Sequence, residues 1–335
     1  MTAPAPQSLS SSLALVGDLG GTHARFALAD CAVDPPRLTQ VVTLRCKDWA
    51  TAEQAVSSYL AALGAEQNPV VATLAAAGPV VGEAVKLTNN HWHCSVAGLR
   101  RMGFASAMLL NDFEALAHAA AQLRSCDLTS LGPERPVAAQ GSVVVLGPGT
   151  GFGVAVLARS ALASVVLATE AGNVAFAPTD ALEDQILRIL REQLGLVSVE
   201  ALLSGPGLLN LYRALCQIEQ MPEQANAATQ ITQLARADDR LARLAVARFC
   251  AILGAVAGDA ALAYGARGGV YITGGVADAL AVELPLSQFR QRFEDKGRYR
   301  PYVSAIPTAL ITRPHTALLG AATVARSLLR GSAVS

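Results

Sequence analysis

The sequence predicts an α/β protein with two domains and mixed, partly parallel sheets flanked by helices. The chain has 335 residues, which is too long for one compact core and suits two domains. Short apolar runs with strand character alternate with stretches of helical spacing, an arrangement that produces partly parallel sheets. A strand, a glycine-rich turn with a threonine and a second strand occur twice, which indicates two related halves.

The first half opens with a hairpin around the turn at residues 17–22, where glycines and one aspartate separate two apolar runs. The strands predicted in this half are residues 13–16, 25–29, 70–77 and 108–110. The last of them ends at Asn111 and Asp112. Helical spacing of apolar residues follows directly, so both side chains are expected where a strand passes into a helix.

The second half repeats this plan with a strand at residues 143–146, a turn at 147–153 and another strand. A helix is predicted over residues 182–194, with Asp180 and Glu183 as a capping pair at its start. A long helix is predicted over residues 239–263, followed by a strand over 269–273.

Composition and charge argue against several classes of partner. Lys plus Arg and Asp plus Glu number 26 each, so no net charge attracts nucleic acid or an anionic membrane. The uncharged residues 137–158 have the length of a membrane span, but glycines and a proline interrupt them and predict strand, loop and strand instead.

The six cysteines lack the spacing of a zinc site, which favours free thiols in a reducing cytoplasm. Residues 1–12 lack the pattern of a signal peptide and are expected to form a flexible tail.

The first glycine-rich turn has the composition of a phosphate site. Gly20 and Gly21 leave the backbone open to phosphate oxygens, and Thr22 adds a hydroxyl donor. Asp18 would then face the phosphates across a Mg²⁺ ion, directly or through water. The alternative is a tight hairpin in which Asp18 only caps the turn.

The second turn contains Gly149, Thr150 and Gly151. It lacks the Lys-Ser/Thr ending of a P-loop and the third glycine of a dinucleotide-binding turn. Two such turns in one chain predict a nucleotide-binding site between two domains.

Several polar residues have the chemistry needed to act on a sugar. Asp112 could accept a proton from an alcohol that attacks a γ-phosphate, although an N-cap is the commoner role for an aspartate before a helix. Glu170 and Glu200 stand beside turns and could hold sugar hydroxyls, whereas exposed glutamates without a ligand are the alternative. His91 and His93 would share one strand face, but a third metal ligand is not evident.

Taken together, these residues resemble the bacterial glucokinase family of the actin, sugar-kinase and Hsp70 superfamily. The resemblance extends from Leu13 to about Leu329 and rests on eight ordered motifs. They are residues 15–22 (LVGDLGGT), 87–89 (LTN), 111–113 (NDF), 147–151 (GPGTG), Glu170 with 176–178 (FAP), Glu200 with 203–207 (LSGPG), 274–275 (GG) and 293–298 (FEDKGR).

The resemblance implies a role for each matching residue. Asp112 matches the general base that takes the proton of the sugar 6-hydroxyl, and Asp18 matches the residue that works with magnesium. The implied sugar ligands are Asn89, Asn111, Asp112, Glu170, Asn173 and Glu200. The implied contacts to ATP are Asp18, Gly20, Gly21, Thr22, Gly149, Thr150, Gly151, Gly205, Gly207, Gly274 and Gly275.

The resemblance also implies an actin-like ATPase (ribonuclease H-like) fold with a cleft between two domains. The small domain is expected at residues 13–122, with a C-terminal helix at 315–331 returning to it, and the large domain at 123–314. Homodimers are usual in the family, so a homodimer is expected. The histidine- and cysteine-rich zinc segment of the related ROK kinases is not present in the sequence, which favours the non-ROK branch.

One position departs from the family pattern. Asn173 stands where the family usually has a histidine that contacts the sugar, and a lost hydrogen bond of this kind weakens binding roughly ten- to hundredfold. Glucose is the expected substrate. A kinase of another hexose and a sugar- or nucleotide-sensing protein with little catalysis are the alternatives.

Overall fold

The protein is described from a computed structural model that covers residues 12–64, 67–88 and 90–331. The described residues up to Leu123 and from Pro314 onward form one compact unit, and Arg124–Arg313 form a second. Asn89 and the predicted flexible tail at residues 1–12, apart from Ser12, lie outside the described residues.

Strands and helices alternate along the chain, and the α/β prediction is confirmed. The strands are β1 (Leu13–Leu19), β2 (His23–Asp30), β3 (Arg37–Arg45), β4 (Val71–Ala76), β5 (Val80–Val81), β6 (Ala84–Lys86), β7 (His93–Ser95), β8 (Ser106–Asn111), β9 (Leu128–Ser130), β10 (Val143–Pro148), β11 (Phe152–Arg159), β12 (Ser164–Thr169), β13 (Gly269–Ile272) and β14 (Thr308–Ile311). The helices are α1 (Ala52–Leu63), α2 (Val96–Arg101), α3 (Asp112–Ala120), α4 (Ala181–Leu194), α5 (Gly205–Ile218), α6 (Ala228–Arg236), α7 (Arg240–Ala263), α8 (Gly275–Ala279), α9 (Phe289–Glu294), α10 (Arg300–Ser304) and α11 (Thr316–Leu329).

The main sheet of the first unit has five strands in the order β3-β2-β1-β4-β8. β1 pairs antiparallel with β2 and parallel with β4, and β4 pairs parallel with β8. In this register Leu19 lies beside Ala76, and Ala76 lies beside Asn111. The carboxyl ends of three parallel strands therefore meet at one end of the sheet, which places the Asp18 strand and the Asn111 strand within two strand spacings, about 10 Å.

The sheet of the second unit repeats this topology. Its order is β12-β11-β10-β13-β14-β9, in which β10 is antiparallel to β11 and parallel to β13, and β13 is parallel to β14. The strands β11, β10, β13 and β14 thus correspond to β2, β1, β4 and β8. The internal repeat indicated by the two glycine-rich turns is present in the strand order.

Helix α11 covers the main sheet of the first unit. Leu318, Ala321 and Ala325 are buried in a cluster with small side chains of β1 and β2. On the side facing α3, a Cβ atom on Gly320 would lie 1.7 Å from the backbone oxygen of Ala115. Only glycine allows the two helix backbones to approach this closely.

We expect Gly320→Ala to lower the free energy of unfolding by about 2 kcal/mol or more, because the added methyl group must push α11 away from α3. Urea unfolding followed by circular dichroism measures the change. Ser327→Ala on the same helix is the control, since it removes only a hydroxyl that bonds the Thr323 backbone oxygen. Equal stability of the parent and the Gly320 variant would contradict the close contact.

Helix α7 is the central helix of the second unit. Among the described residues it is the one helix long and apolar enough to cross a bilayer, but 72% of that window is buried inside the protein. Cβ atoms on Gly254 and Gly258 would lie 2.1 and 2.4 Å from the backbone oxygens of Phe289 and Phe293, so α9 packs directly on its backbone. Since neighbouring parts of the protein bury it, α7 is placed as a core helix of the second unit. Its length and composition are only weak evidence for a membrane span.

The predicted capping pair of α4 is half correct. The Asp180 carboxylate caps the helix by accepting hydrogen bonds from the N–H groups of Leu182 and Glu183, both at 3.0 Å. Glu183 accepts instead from the Thr179 N–H at 2.8 Å and forms an ion pair with Arg292 at 2.7 Å. A buried glutamate needs compensation for its charge, and the Arg292 guanidinium supplies it.

Helix α3 carries a histidine that resists protonation, since burial lowers the pKa of His118 to about 4. The unfolded chain takes up this proton near pH 6.5 and the folded chain only near pH 4, so stability is lost as the pH falls between these values. We expect this residue to cost about 2 kcal/mol between pH 7 and pH 5. Urea unfolding at both pH values should show a smaller loss for His118→Gln than for the parent, and equal losses would contradict the assignment.

Candidate active site

The first glycine-rich turn joins β1 to β2, as predicted. The Gly20 N–H donates to the His23 backbone oxygen at 3.0 Å, and the Cys46 N–H donates to the Thr22 backbone oxygen at 2.9 Å. These two bonds close the turn and attach it to the residue that follows β3. The Thr22 side chain is exposed, so its hydroxyl is accessible to a ligand.

Asp18 forms an ion pair that sequence reasoning missed. It lies directly opposite Arg25 in the β1–β2 register, and an Arg25 guanidinium nitrogen lies 3.2 Å from its carboxylate. Burial raises the pKa of Asp18, while the charges of Arg25 and His315 act in the opposite direction. A signal for the pair was available, because two residues equally distant from a hairpin turn face each other.

Asn111 and Asp112 lie where β8 passes into α3. The N-cap is Asn111, whose side-chain oxygen accepts from the N–H groups of Phe113 at 2.9 Å and Glu114 at 3.3 Å. Glu114 completes a capping box by accepting from the Asn111 N–H at 3.1 Å. The alternative that Asp112 is the N-cap is therefore wrong, because Asp112 is the first residue inside the helix.

This arrangement fixes the carboxylate of Asp112 at the amino end of α3. One of its oxygens accepts from the Phe113 N–H at 2.9 Å, and the amide dipoles of a helix stabilise negative charge at this end. The Asn111 side-chain nitrogen also donates to the Gly78 backbone oxygen at 3.2 Å, which links the end of β8 to the residues after β4. Asp18, Asn111 and Asp112 thus belong to the same end of one sheet.

The second glycine-rich turn joins β10 to β11 and lies beside two helix starts. The Gly149 N–H donates to the Gly151 backbone oxygen at 2.8 Å, and the Gly205 N–H at the start of α5 donates to the Gly149 backbone oxygen at 2.8 Å. A Cβ atom on Gly274 would lie 2.5 Å from the backbone oxygen of Pro148. Thr150 is exposed at the tip of the turn.

The glycines around the second turn are of two kinds, those beside open space and those required by packing. Cβ atoms on Gly149 and Gly275 would meet nothing within 4 Å, so both positions leave open space for a ligand. Gly207 is buried, and a Cβ atom there would lie 2.5 Å from the backbone carbon of Leu202. Packing inside the protein explains Gly207, and its predicted contact with a nucleotide stays a prediction.

Three predicted sugar ligands of the second unit lie around the same turn. Glu170 and Asn173 are the two ends of a short 3-10 turn, in which the Asn173 N–H donates to the Glu170 backbone oxygen at 2.9 Å, and both residues are exposed. The Glu200 N–H donates to the Gly172 backbone oxygen at 2.9 Å. The structure thus brings Glu170, Asn173 and Glu200 together, whereas Asn111 and Asp112 belong to the first unit.

The histidine pair near β7 makes contacts with backbone oxygens. Nε2 of His91 lies 3.2 Å from the Ala50 backbone oxygen, and Nδ1 of His93 lies 3.2 Å from the His91 backbone oxygen. In the part of the chain that the structure describes, no three His, Cys, Asp or Glu side chains form a group able to hold a metal. All six cysteines are free thiols, as predicted.

Comparison with known proteins assigns the chain to a family. A family model described as Glucokinase matches residues 15–328. The chain belongs to the glucokinase family. Among its curated relatives, a glucokinase of Caulobacter sp. (strain K31) is 47% identical over 93% of this chain and 95% of its own length.

Solved glucokinase structures share the fold. The glucokinase of an Antarctic psychrotroph matches with a TM-score of 0.87 and 36% identity over 94% of this chain and 99% of that chain. A ROK family glucokinase from Streptomyces griseus, in complex with glucose and AMPPNP, matches with a TM-score of 0.62 and 19% identity over 94% and 99%. The predicted actin-like ATPase fold is confirmed, and so is the prediction that this member of the glucokinase family is a phosphotransferase of the hexose kinase type.

Proposed function

We propose that this chain transfers the γ-phosphoryl group of ATP to the 6-hydroxyl of glucose, giving glucose 6-phosphate and ADP. The observation that carries the proposal is the placement of Asp112 at the end of the sheet that also holds Asp18 and the turn with Thr22. Phosphoryl transfer to an alcohol needs a base for the alcohol and donors for the phosphates, and this end of the sheet offers both.

Asp112 is the general base of the proposed reaction. Its carboxylate accepts the proton of the sugar 6-hydroxyl as the hydroxyl oxygen attacks the γ-phosphorus, and the bond between the γ-phosphorus and the β,γ-bridging oxygen of ATP breaks. The Phe113 N–H holds one carboxylate oxygen in place. Asn111 sets the start of α3 and so fixes the direction in which Asp112 leaves the backbone.

The remaining sugar contacts and the phosphate contacts follow the family assignment. Asn89, Asn111, Glu170, Asn173 and Glu200 hold the sugar hydroxyls through carboxylate and amide groups. The residues assigned to ATP are Gly20, Gly21, Thr22, Gly149, Thr150, Gly151, Gly205, Gly207, Gly274 and Gly275. Of these, the exposed hydroxyls of Thr22 and Thr150 and the open positions at Gly149 and Gly275 support the assignment most directly.

The donor set fits a magnesium ion that enters with the nucleotide. The described residues hold no cluster of three acidic or histidine ligands, and Mg²⁺ commonly keeps several waters and binds one or two carboxylates together with substrate phosphates. Asp18 is the carboxylate that would hold it, directly or through water. When bound, magnesium would neutralise charge on the transferred phosphoryl group.

We expect a cytoplasmic homodimer whose partners are ATP and a hexose, and not nucleic acid or a membrane. Equal numbers of basic and acidic residues support only the expectation about nucleic acid and membrane, because no excess charge attracts either polyanion or anionic lipid.

The test is ADP release from Mg·ATP with glucose, mannose, fructose, N-acetylglucosamine or no sugar. Release that is fastest with glucose supports the proposal and means that Asn173 is compatible with glucose. If release is faster with another hexose, that hexose is the substrate in place of glucose. Asn173→His would then be expected to shift the preference toward glucose. Sugar binding without ADP release would favour a sensor.

A further inference from the structure

The carboxylate of Glu200 lies against the backbone of the second glycine-rich turn. Its Oε2 atom accepts a hydrogen bond from the Phe152 N–H at 2.8 Å, across 48 positions of sequence. A Cβ atom on Gly151 would lie only 2.5 Å from the same oxygen. Glycine at position 151 therefore leaves room for the Glu200 carboxylate.

Glu200 is itself held in place by its backbone. Its N–H donates to the Gly172 backbone oxygen at 2.9 Å, and its backbone oxygen accepts from the Ser204 hydroxyl at 2.8 Å. The side chain therefore extends from an anchored segment. A hydrogen bond accepted by a side chain on an anchored segment restricts the donor more than one accepted by a side chain on a mobile segment.

The turn needs this restriction. Gly149 and Gly151 flank Thr150, and glycine backbones populate many conformations at little energetic cost. On one side of Thr150 the Gly149 backbone oxygen accepts from the Gly205 N–H, and on the other side the Phe152 N–H donates to Glu200. The two bonds hold the turn at both ends.

The two oxygens of Glu200 differ in use. Oε2 makes the bond to the turn, whereas Oε1 makes no hydrogen bond within the described part of the chain. Oε1 is therefore available to accept from a sugar hydroxyl. A single carboxylate can contact the sugar with one oxygen and hold the nucleotide turn with the other.

We propose that Glu200 is a positioning residue for the turn Gly149–Gly151, in addition to its role as a sugar ligand. The carboxylate fixes the amides and the Thr150 hydroxyl that receive the nucleotide phosphates. Sugar bound to Glu200 then favours the same turn conformation, and by thermodynamic reciprocity the nucleotide raises the affinity for sugar. This inference rests on the proposed function for the identity of the two ligands.

The experiment compares Glu200→Ala, Glu200→Gln and Glu192→Ala. Affinity for magnesium–AMPPNP is measured by calorimetry without sugar, so that a lost sugar contact does not contribute. Glu200→Ala is expected to weaken binding about 10-fold, because a backbone donor loses a charged acceptor. Glu200→Gln retains an oxygen that can accept from Phe152 and should stay within about threefold of the parent. Glu192→Ala is the matched control, since it removes an exposed glutamate of α4 that has no proposed ligand role, and its nucleotide affinity should not change.

Hydrogen–deuterium exchange of the segment 147–153 provides a second readout that needs neither ligand nor turnover. Exchange at the Phe152 amide should be faster in Glu200→Ala and close to that of the parent in Glu200→Gln and Glu192→Ala. This comparison also shows whether the rest of Glu200→Ala remains folded, because the other segments should keep the exchange of the parent.

The outcomes separate this inference from the proposed function. Three results would overturn the positioning role: unchanged exchange at Phe152 in Glu200→Ala, equal nucleotide affinity in Glu200→Ala and Glu192→Ala, or no nucleotide binding by the parent. If the predicted exchange and affinity changes occur while the parent phosphorylates no hexose, the positioning role stands and the proposed function fails.

Discussion

Replacement of Asp112 by asparagine is expected to lower kcat about 1,000-fold, within the range that general-base catalysis contributes, while sugar affinity changes less than about threefold. The asparagine keeps an oxygen that can accept from the Phe113 N–H, so the start of α3 should be preserved. It cannot take up the proton of the sugar hydroxyl. ADP release measures kcat, and calorimetric titration with sugar measures affinity.

The control for this variant is Asp184→Asn, which removes an exposed carboxylate from the first turn of α4. Its kcat should equal that of the parent. Wild-type turnover in the Asp112 variant would remove this residue from the role of base. A large loss of sugar affinity would instead assign Asp112 chiefly to binding.

Asp18→Asn is expected to lower kcat/KM for ATP about 100-fold and to raise the magnesium concentration that gives half-maximal activity. The substitution keeps the size of the side chain and an acceptor for Arg25, but removes the negative charge that faces the ion. ADP release measured over a series of magnesium concentrations at fixed ATP checks both effects.

Asp30→Asn is the matched control, because Asp30 lies at the far end of the same hairpin, opposite Leu13, where it pairs with Arg37 at 3.6 Å. This change should leave the magnesium dependence of the parent. An unaltered magnesium dependence in the Asp18 variant would mean that Asp18 serves only its ion pair with Arg25.

The sequence predicted the hairpins well because their signals are local. Two short apolar runs and a glycine-rich turn indicated β1 and β2, but the first predicted strand ended at Val16 and β1 continues to Leu19. Gly17 looked like part of the turn. It is a strand residue, and a Cβ atom there would lie 2.6 Å from the Leu74 side chain. A glycine required by packing cannot be told from a glycine required by a turn without knowing the neighbouring strand.

The start of α3 shows the same limit at shorter range. Asn111 and Asp112 are both good N-cap residues, and their types alone leave the choice open. The choice depends on which side chain reaches the N–H groups of the first turn, and the capping box with Glu114 selects Asn111. Asp112 therefore does not have the capping role that sequence statistics would give it.

The sequence by itself determined the α/β class, the two glycine–threonine turns and the family, because strand alternation, helical spacing and short motifs are local properties of the chain. The tertiary structure decided which residues share a contact. The Asp18–Arg25 ion pair follows from strand register, and the bond from Phe152 to Glu200 joins segments 48 positions apart. Such contacts depend on how whole elements pack, and that packing is set by the sum of many burial and hydrogen-bond energies and not by any short pattern.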